Sequence, residues 1–210
     1  MSYAVKEIYL TVQGEGAQTG RVAVFCRFTG CNLWSGLERD RANAACRFCD
    51  TDFRGTDGPG GGRFPDADAL AGAVAAVWTG TSGPRWVVFT GGEPLLQLDE
   101  ALITACHDRD FRVAVETNGT VAAPPGLDWI CVSPKPRSTV VQRSGHELKL
   151  VYPQPEIPPE TVEGWAFEHH LLQPMDGPDR VAHTEAAFRY ALAHPRWRLS
   201  VQTHKWIGVP

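Results

Sequence analysis

This chain of 210 residues has no lysine- and arginine-rich run, no long apolar stretch at its start and no second Cys-x-x-Cys pair. With a net charge of −4, the first absence removes the usual electrostatic footprint of nucleic-acid or membrane-surface binding. The second argues against a signal peptide or membrane span in MSYAVKEIYLTVQGEG, and points to a cytoplasmic, reducing setting. Closely spaced cysteines in that setting read as metal-binding or catalytic rather than as disulfides. The third excludes a zinc ribbon, which needs two such pairs. The Rossmann fingerprint Gly-x-Gly-x-x-Gly is also missing after any first strand.

What is present fits an ordinary globular protein. Hydrophobic residues make up 43% and charged residues 21%, so a single domain over 1–210 with one sizeable core is expected. Seven short runs rich in Val, Leu, Ile and aromatics predict strands at 21–28, 85–90, 111–117, 127–133, 146–152, 169–175 and 197–203. Several are apolar nearly throughout, as strands covered on both faces are. Helices are predicted at 65–78, 98–110 and 183–195, the first opening on Pro65 and Asp66, the second capped by Asp99 and the third stopped by Pro195. Strand–helix–strand order implies a largely parallel sheet. Three helices are too few for an eight-fold barrel. The expected fold is therefore α/β, an incomplete TIM-like barrel with few helices.

The predicted strands turn polar as they finish, in FCRFTGC, VVFTGGEP, VAVETNG, ICVSPKP, LLQPMD and LSVQTHK. A parallel sheet gathers such ends on one rim, where active sites assemble. Arg27, Thr90, Glu93, Glu116, Asn118, Ser133, Lys135, Gln173 and Gln202 should converge there.

Beside that rim falls a loop with three of the six cysteines, Cys31, Cys46 and Cys49; fourteen residues separate the first two and two the last two. Thiolates select zinc, copper(I) or iron–sulfur clusters. Two readings stand at this point. One is a zinc site of three cysteines plus a histidine such as His107, His146, His169, His170 or His204. The other is a [4Fe–4S] cluster on three cysteines with one iron left open for chemistry. Cys26, Cys106 and Cys131 lie in apolar strand and helix patterns and read as packing.

The tight end, Cys46-Arg47-Phe48-Cys49, resembles the radical S-adenosylmethionine (SAM) superfamily, in which an aromatic precedes the last cluster cysteine and SAM chelates the open iron. The first gap departs from the usual three residues, although a long loop closes at modest extra entropy. Thr90-Gly91-Gly92-Glu93-Pro94 resembles the superfamily's Gly-Gly-Glu motif. Four further stretches resemble the 7-carboxy-7-deazaguanine synthase family: LTVQGEGAQTG (10–20), Arg27 to Trp34, CDTDF (49–53), and VETNG with SPKP (115–119, 133–136). The likeness resumes at LLQPMD and VQTHK.

The resemblance implies a radical SAM lyase of queuosine and deazapurine biosynthesis. Such an enzyme contracts the ring of 6-carboxy-5,6,7,8-tetrahydropterin to 7-carboxy-7-deazaguanine, with loss of ammonia. Cys31, Cys46 and Cys49 would hold the cluster that cleaves SAM. Phe48, Cys49, Asp50, Gly92, Ser133, Pro134, Lys135, Gln173, Pro174, Met175 and Asp176 match SAM-binding positions. Val12, Gln13, Gly14, Arg27, Thr90, Glu116 and the Pro210 carboxylate would meet the pterin, Arg27 as a fork for its carboxylate. Thr51 would ligate Mg²⁺. A flavodoxin or ferredoxin reductant and a homodimer are also implied. A glycyl-radical activase and a zinc-stabilised binding module are the rival functions.

Overall fold

The structure is a computed structural model that describes residues 2–210. Nine strands form one sheet. They are β1 (Tyr3–Val12), β2 (Val22–Phe28), β3 (Gly62–Phe64), β4 (Arg85–Gly91), β5 (Phe111–Thr117), β6 (Trp129–Val132), β7 (Ser144–Tyr152), β8 (Ala166–Pro174) and β9 (Trp197–Leu199). Their spatial order is β3-β1-β2-β4-β5-β6-β7-β8-β9. The first two pairings, β3 with β1 and β1 with β2, are antiparallel; every pairing from β2 to β9 is parallel. The sheet stays open, as expected of an incomplete barrel.

Helices cover the outside in two patches. Helices α1 (Ala67–Val77) and α2 (Glu100–His107) pack against β1, β2, β4 and β5 around Val24, Phe28, Leu70, Val74, Phe89, Leu102 and Val113. Asp66 caps α1 by accepting from Ala69 N at 2.8 Å. Asp99 caps α2 by accepting from Leu102 N at 3.0 Å, and its Oδ1 also takes the Tyr3 hydroxyl at 2.7 Å. Helix α3 (Arg180–Ala193) shields the other end of the sheet, over Leu148, Leu150, Leu172 and Trp197. The side chains pointing the other way fill the barrel. Ala23, Trp86, Val88 and Ala114 plug its lower part, and the polar residues of the strand ends stand above them. Strand alternation thus divides each strand between a helix-covered core and the interior of the barrel.

The turn after β1 crosses the open side. Gly16 N donates to Ser200 Oγ at 2.9 Å, and Gly14 O accepts from both Thr203 N and Thr203 Oγ1 at 2.9 Å. Among the described residues no helix is long and apolar enough to cross a membrane.

The seven predicted strands are all present, but β1 and β3 are additional. The last predicted strand is cut short: β9 ends at Leu199, and Thr203–Ile207 form a short helix, α4. Helix α3 begins three residues before its predicted start.

Candidate active site

The C-terminal ends of the strands open into a cavity of about 540 Å³. From β2, β4 and β5 come Arg27, Thr90 and Glu116; Ser133 and Lys135 follow β6; Lys149 stands on β7; Gln173 to Asp176 close β8. The β1–β2 turn contributes Val12, Gln13, Gly14 and Glu15, the cysteine loop Cys46 and Phe48 to Thr51, and the last residues His204, Lys205 and Pro210. The predicted convergence is therefore real in space. Cys31 and Pro134 stand behind the wall, and so does Glu93.

The cysteine loop is a small folded unit of its own. A 3₁₀ turn spans Glu38–Asn43, and Trp34 meets the Phe53 ring edge-on at 5.7 Å. The Arg41 guanidinium covers Trp34 at 4.1 Å and donates to the carbonyls of Arg47 and Cys49 at 2.9 and 3.0 Å. One arginine thus shapes the backbone around the Cys-x-x-Cys turn. Cys46 and Cys49 share a hydrogen bond, and that bond lowers the Cys49 thiol to about 6. The same bond, with burial, raises Cys46. Cys31 Sγ accepts from Leu33 N at 3.4 Å.

The glycines of Thr90-Gly91-Gly92-Glu93 bring β4 against this loop. Gly91 has φ +143°, and a Cβ there would fall 2.3 Å from Phe28 O. At Gly92 it would fall 2.1 Å from Gly30 O and 2.7 Å from the Cys31 Cβ. Only glycine permits that approach. Glu93 does something other than greet a ligand. It is wholly buried, and its oxygens accept from Leu95 N, Thr117 Oγ1 and Asn118 N at 2.9, 2.7 and 2.8 Å. Any ammonium held at this motif would have to use its backbone carbonyls.

Two expected substrate groups are less free than their sequence suggests. Arg27 Nε donates to Glu7 at 2.8 Å and Nη2 to the Tyr9 hydroxyl at 2.9 Å, leaving Nη1 for a ligand. Glu116 accepts from Gln13 Nε2 at 3.0 Å and from Lys149 Nζ at 2.8 Å. Lys149 is 5% exposed and also donates to Glu15 at 2.7 Å. Burial alone would raise Glu15, but the Lys149 charge outweighs it and holds this carboxyl near 2. Lys149, Glu15 and Tyr9 line the cavity without being singled out by the sequence motifs, and His204, a candidate zinc ligand by sequence, lines it too. The signal for Lys149 was there: a Glu-x-Lys pair inside the otherwise apolar strand HELKLVY marks buried charge.

The far wall suits a nucleoside-like ligand. Lys135 Nζ bonds Ser133 Oγ at 2.6 Å and lies 5.9 Å from the Phe48 ring. Gln173 Oε1 accepts from Ser200 Oγ at 2.7 Å, while its buried Nε2 has no partner in the chain, an orphan donor at the cavity wall. Lys205 ties Asp50 to Asp176, at 2.8 and 2.6 Å, across the mouth. Thr11 Oγ1 donates to Pro210 O at 2.9 Å, which brings that residue to the rim.

The donor chemistry fits an iron–sulfur cluster with SAM. All six cysteines are free thiols, and the pair facing the cavity is backed by the third. Among the described residues, no three or more His, Cys, Asp or Glu side chains are already gathered as a metal site, so the fit rests on the thiol chemistry of the loop and not on a preformed cage. The orphaned Gln173 amide asks for an acceptor such as a purine ring nitrogen.

No family model matches the chain. A 7-carboxy-7-deazaguanine synthase from Bordetella pertussis is 66% identical over 210 residues, covering all of both chains. One from Bacteroides thetaiotaomicron is 35% identical over 209 residues, again covering both chains fully. The crystal structure of QueE from Escherichia coli superposes with a TM-score of 0.68 at 25% identity, over 97% of this chain and 95% of that one. With the cysteine loop, the glycine approach and the polar rim all in one cavity, these full-length matches show that the chain belongs to the 7-carboxy-7-deazaguanine synthase family.

Proposed function

We propose that this chain is a single-domain radical SAM lyase that contracts 6-carboxy-5,6,7,8-tetrahydropterin to 7-carboxy-7-deazaguanine and releases ammonia. The observation that carries the reading is the shared cavity: Cys46 and Cys49 face the same space as Arg27, Gln13 and Glu116. Cys31, Cys46 and Cys49 would hold a [4Fe–4S] cluster, which would supply the one-electron chemistry that turns bound SAM into a hydrogen-abstracting oxidant for the pterin C6 position.

The chain's own residues bind and orient. Gln173 would donate to the adenine of SAM, Phe48 would offer its ring to it, and Ser133, Lys135 and Asp176 would take the ribose and the methionine carboxylate and ammonium. Arg27 Nη1 meets the pterin carboxylate with a charge-assisted bond. Gln13, Glu116 and the Pro210 oxygen face the ring's N–H edge. The strand-end walls and the 13–18 turn exclude water, so a radical meets only its substrate. Thr51 offers one hard oxygen for Mg²⁺, with substrate oxygens and water completing the shell. An external reductant such as flavodoxin or ferredoxin supplies electrons in a reducing cytoplasm.

A homodimer accords with one surface. Val181, Phe188, Leu192, Leu199, Trp206 and Ile207 are exposed on α3, β9 and α4, and a second copy of the chain would cover them.

The test is anaerobic incubation of the reconstituted protein with SAM, a reductant and the carboxylated pterin. Consumption of the pterin with ammonia release is expected. A brown protein that cleaves SAM but leaves the pterin intact would favour an activase, and a colourless zinc protein would end the radical reading.

A further inference from the structure

Beneath the rim, the barrel interior holds a layer of buried charge. The Lys149 ammonium is its centre, between Glu15 Oε2 at 2.7 Å and Glu116 Oε2 at 2.8 Å. Each carboxylate's other oxygen carries a glutamine: Gln202 Nε2 bonds Glu15 Oε1 at 2.8 Å, and Gln13 Nε2 bonds Glu116 Oε1 at 3.0 Å. The four partners come from the β1–β2 turn, from β5 and from the segment after β9, so Lys149 joins three separate parts of the chain. All five side chains line the cavity.

We infer that Lys149 is the positioning residue of the pterin site, holding the Glu15 and Glu116 carboxylates aimed so that the floor presents acceptors to the substrate's N–H edge. The inference rests on the pterin reading given above. The chemistry runs as follows. A pterin's guanidine-like edge carries donors and needs acceptors. Each carboxylate oxygen here spends one lone pair on the chain and keeps another for a ligand. With Lys149 charged, the pair of carboxylates and the ammonium sum to −1. Remove the ammonium, and two carboxylates a few ångströms from one cation site repel; Glu15, which burial pushes up once Lys149 no longer offsets it, takes up a proton and turns from acceptor into donor. A donor facing a donor edge rejects the substrate.

The remaining groups around Lys149 do not replace it. Glu147 lies on the same face of β7, accepting from Ala17 N at 3.0 Å and from Cys131 Sγ at 3.5 Å. Burial raises Glu147 towards its neutral form, and burial likewise raises Cys131. His204, lowered by burial, also faces Glu15. None of these, a carboxyl, a thiol pushed up by burial or an imidazole pushed down by it, supplies the missing cation.

The experiment is anaerobic calorimetric titration of the reconstituted holoenzyme with the carboxylated pterin and, separately, with SAM, from pH 6 to pH 9. For Lys149→Met the pterin Kd is expected to rise about 100-fold at neutral pH, the scale of a lost charge-assisted hydrogen-bond set. It should then tighten again as pH rises, since deprotonation restores the second carboxylate. The SAM Kd should stay within about twofold, since SAM meets other residues. Lys149→Arg should recover most of the pterin affinity. If Lys149→Met fails to fold, Lys149→Met with Glu15→Gln removes one buried charge of each sign; it should bind pterin weakly but without the recovery at high pH. Unchanged pterin affinity, or equal losses for pterin and SAM, would overturn the inference. A wild-type enzyme that binds SAM but no pterin would overturn the substrate reading itself, and this inference with it.

Discussion

Glu93 and Thr117 meet in the dry interior, the threonine hydroxyl donating to Glu93 Oε1 at 2.7 Å. The contact joins the end of β4 to the end of β5 and fixes the glycine approach against the cysteine loop. Glu93→Ala would leave the Thr117 hydroxyl and the Leu95 and Asn118 amides without their acceptor. A loss of about 3 kcal/mol is expected, at roughly 1–3 kcal/mol for each buried group left unpaired. Chemical denaturation of the apo protein measures it, and a loss near zero would mean the carboxylate is not buried as described.

Cluster ligation separates the six cysteines into two groups. Cys31→Ala, Cys46→Ala and Cys49→Ala should each lose the reconstituted brown colour and SAM cleavage. Cys106→Ala, a buried packing position at 1% exposure, should keep both and lose only modest stability. Iron content per chain and 5′-deoxyadenosine yield decide the matter; full SAM cleavage by any of the first three would break the assignment.

Two glycines should respond oppositely to alanine. A Cβ on Gly92 would collide with Gly30 O, so Gly92→Ala must push β4 away from the cysteine loop and abolish SAM binding. Gly72 lies inside α1 with nothing within 4 Å of the added carbon. Gly72→Ala should stabilise the protein by about 1 kcal/mol, the helix-propensity gain. Melting curves on both variants check the pair.

Acid should loosen the barrel floor. Glu15 is held at about 2, below its ordinary value of 4.5. A carboxyl lowered on folding contributes stability above its unfolded pKa and loses it as pH falls through the folded one. The contribution should therefore be intact above about pH 4.5 and fade towards pH 2. Glu15→Gln should be less stable at pH 7 and should show a flatter stability profile across that window. Denaturant midpoints measured at several pH values read this directly.

The clasp across the cavity mouth should be salt-sensitive. Lys205, about one-third exposed, binds Asp50 and Asp176. Lys205→Met should raise the SAM KM severalfold, and the difference from wild type should shrink in high salt, where exposed pairs are screened. A salt-independent effect would place the role of Lys205 elsewhere.

Much of this site was legible because chemistry concentrates at strand ends. Arg27, Thr90, Glu116, Ser133 and Gln173 are polar punctuation after apolar runs, and parallel pairing carries them to one rim. β1 escaped for a physical reason. Its pairing with β2 shifts register between Val5 and Glu7, so the two-residue alternation that marks a strand is broken midway. Lys149 escaped because a charge in a buried strand reads as an exception until its partners are seen, and Glu15 lies 134 positions earlier. Glu93 was visible as part of a motif, but only its three buried donors show that it braces the backbone. The α4 turn was hidden in a run, VQTHK, too short for helical periodicity to register.

The Gly14–Thr203 contact links positions 189 residues apart, while Cys31, Cys46 and Cys49 lie within the first quarter of the chain. During synthesis these three thiols therefore emerge long before the cavity around them can close. A nascent chain therefore carries these thiols exposed to oxygen and stray ions until the segment around Thr203 has been made and can dock on Gly14.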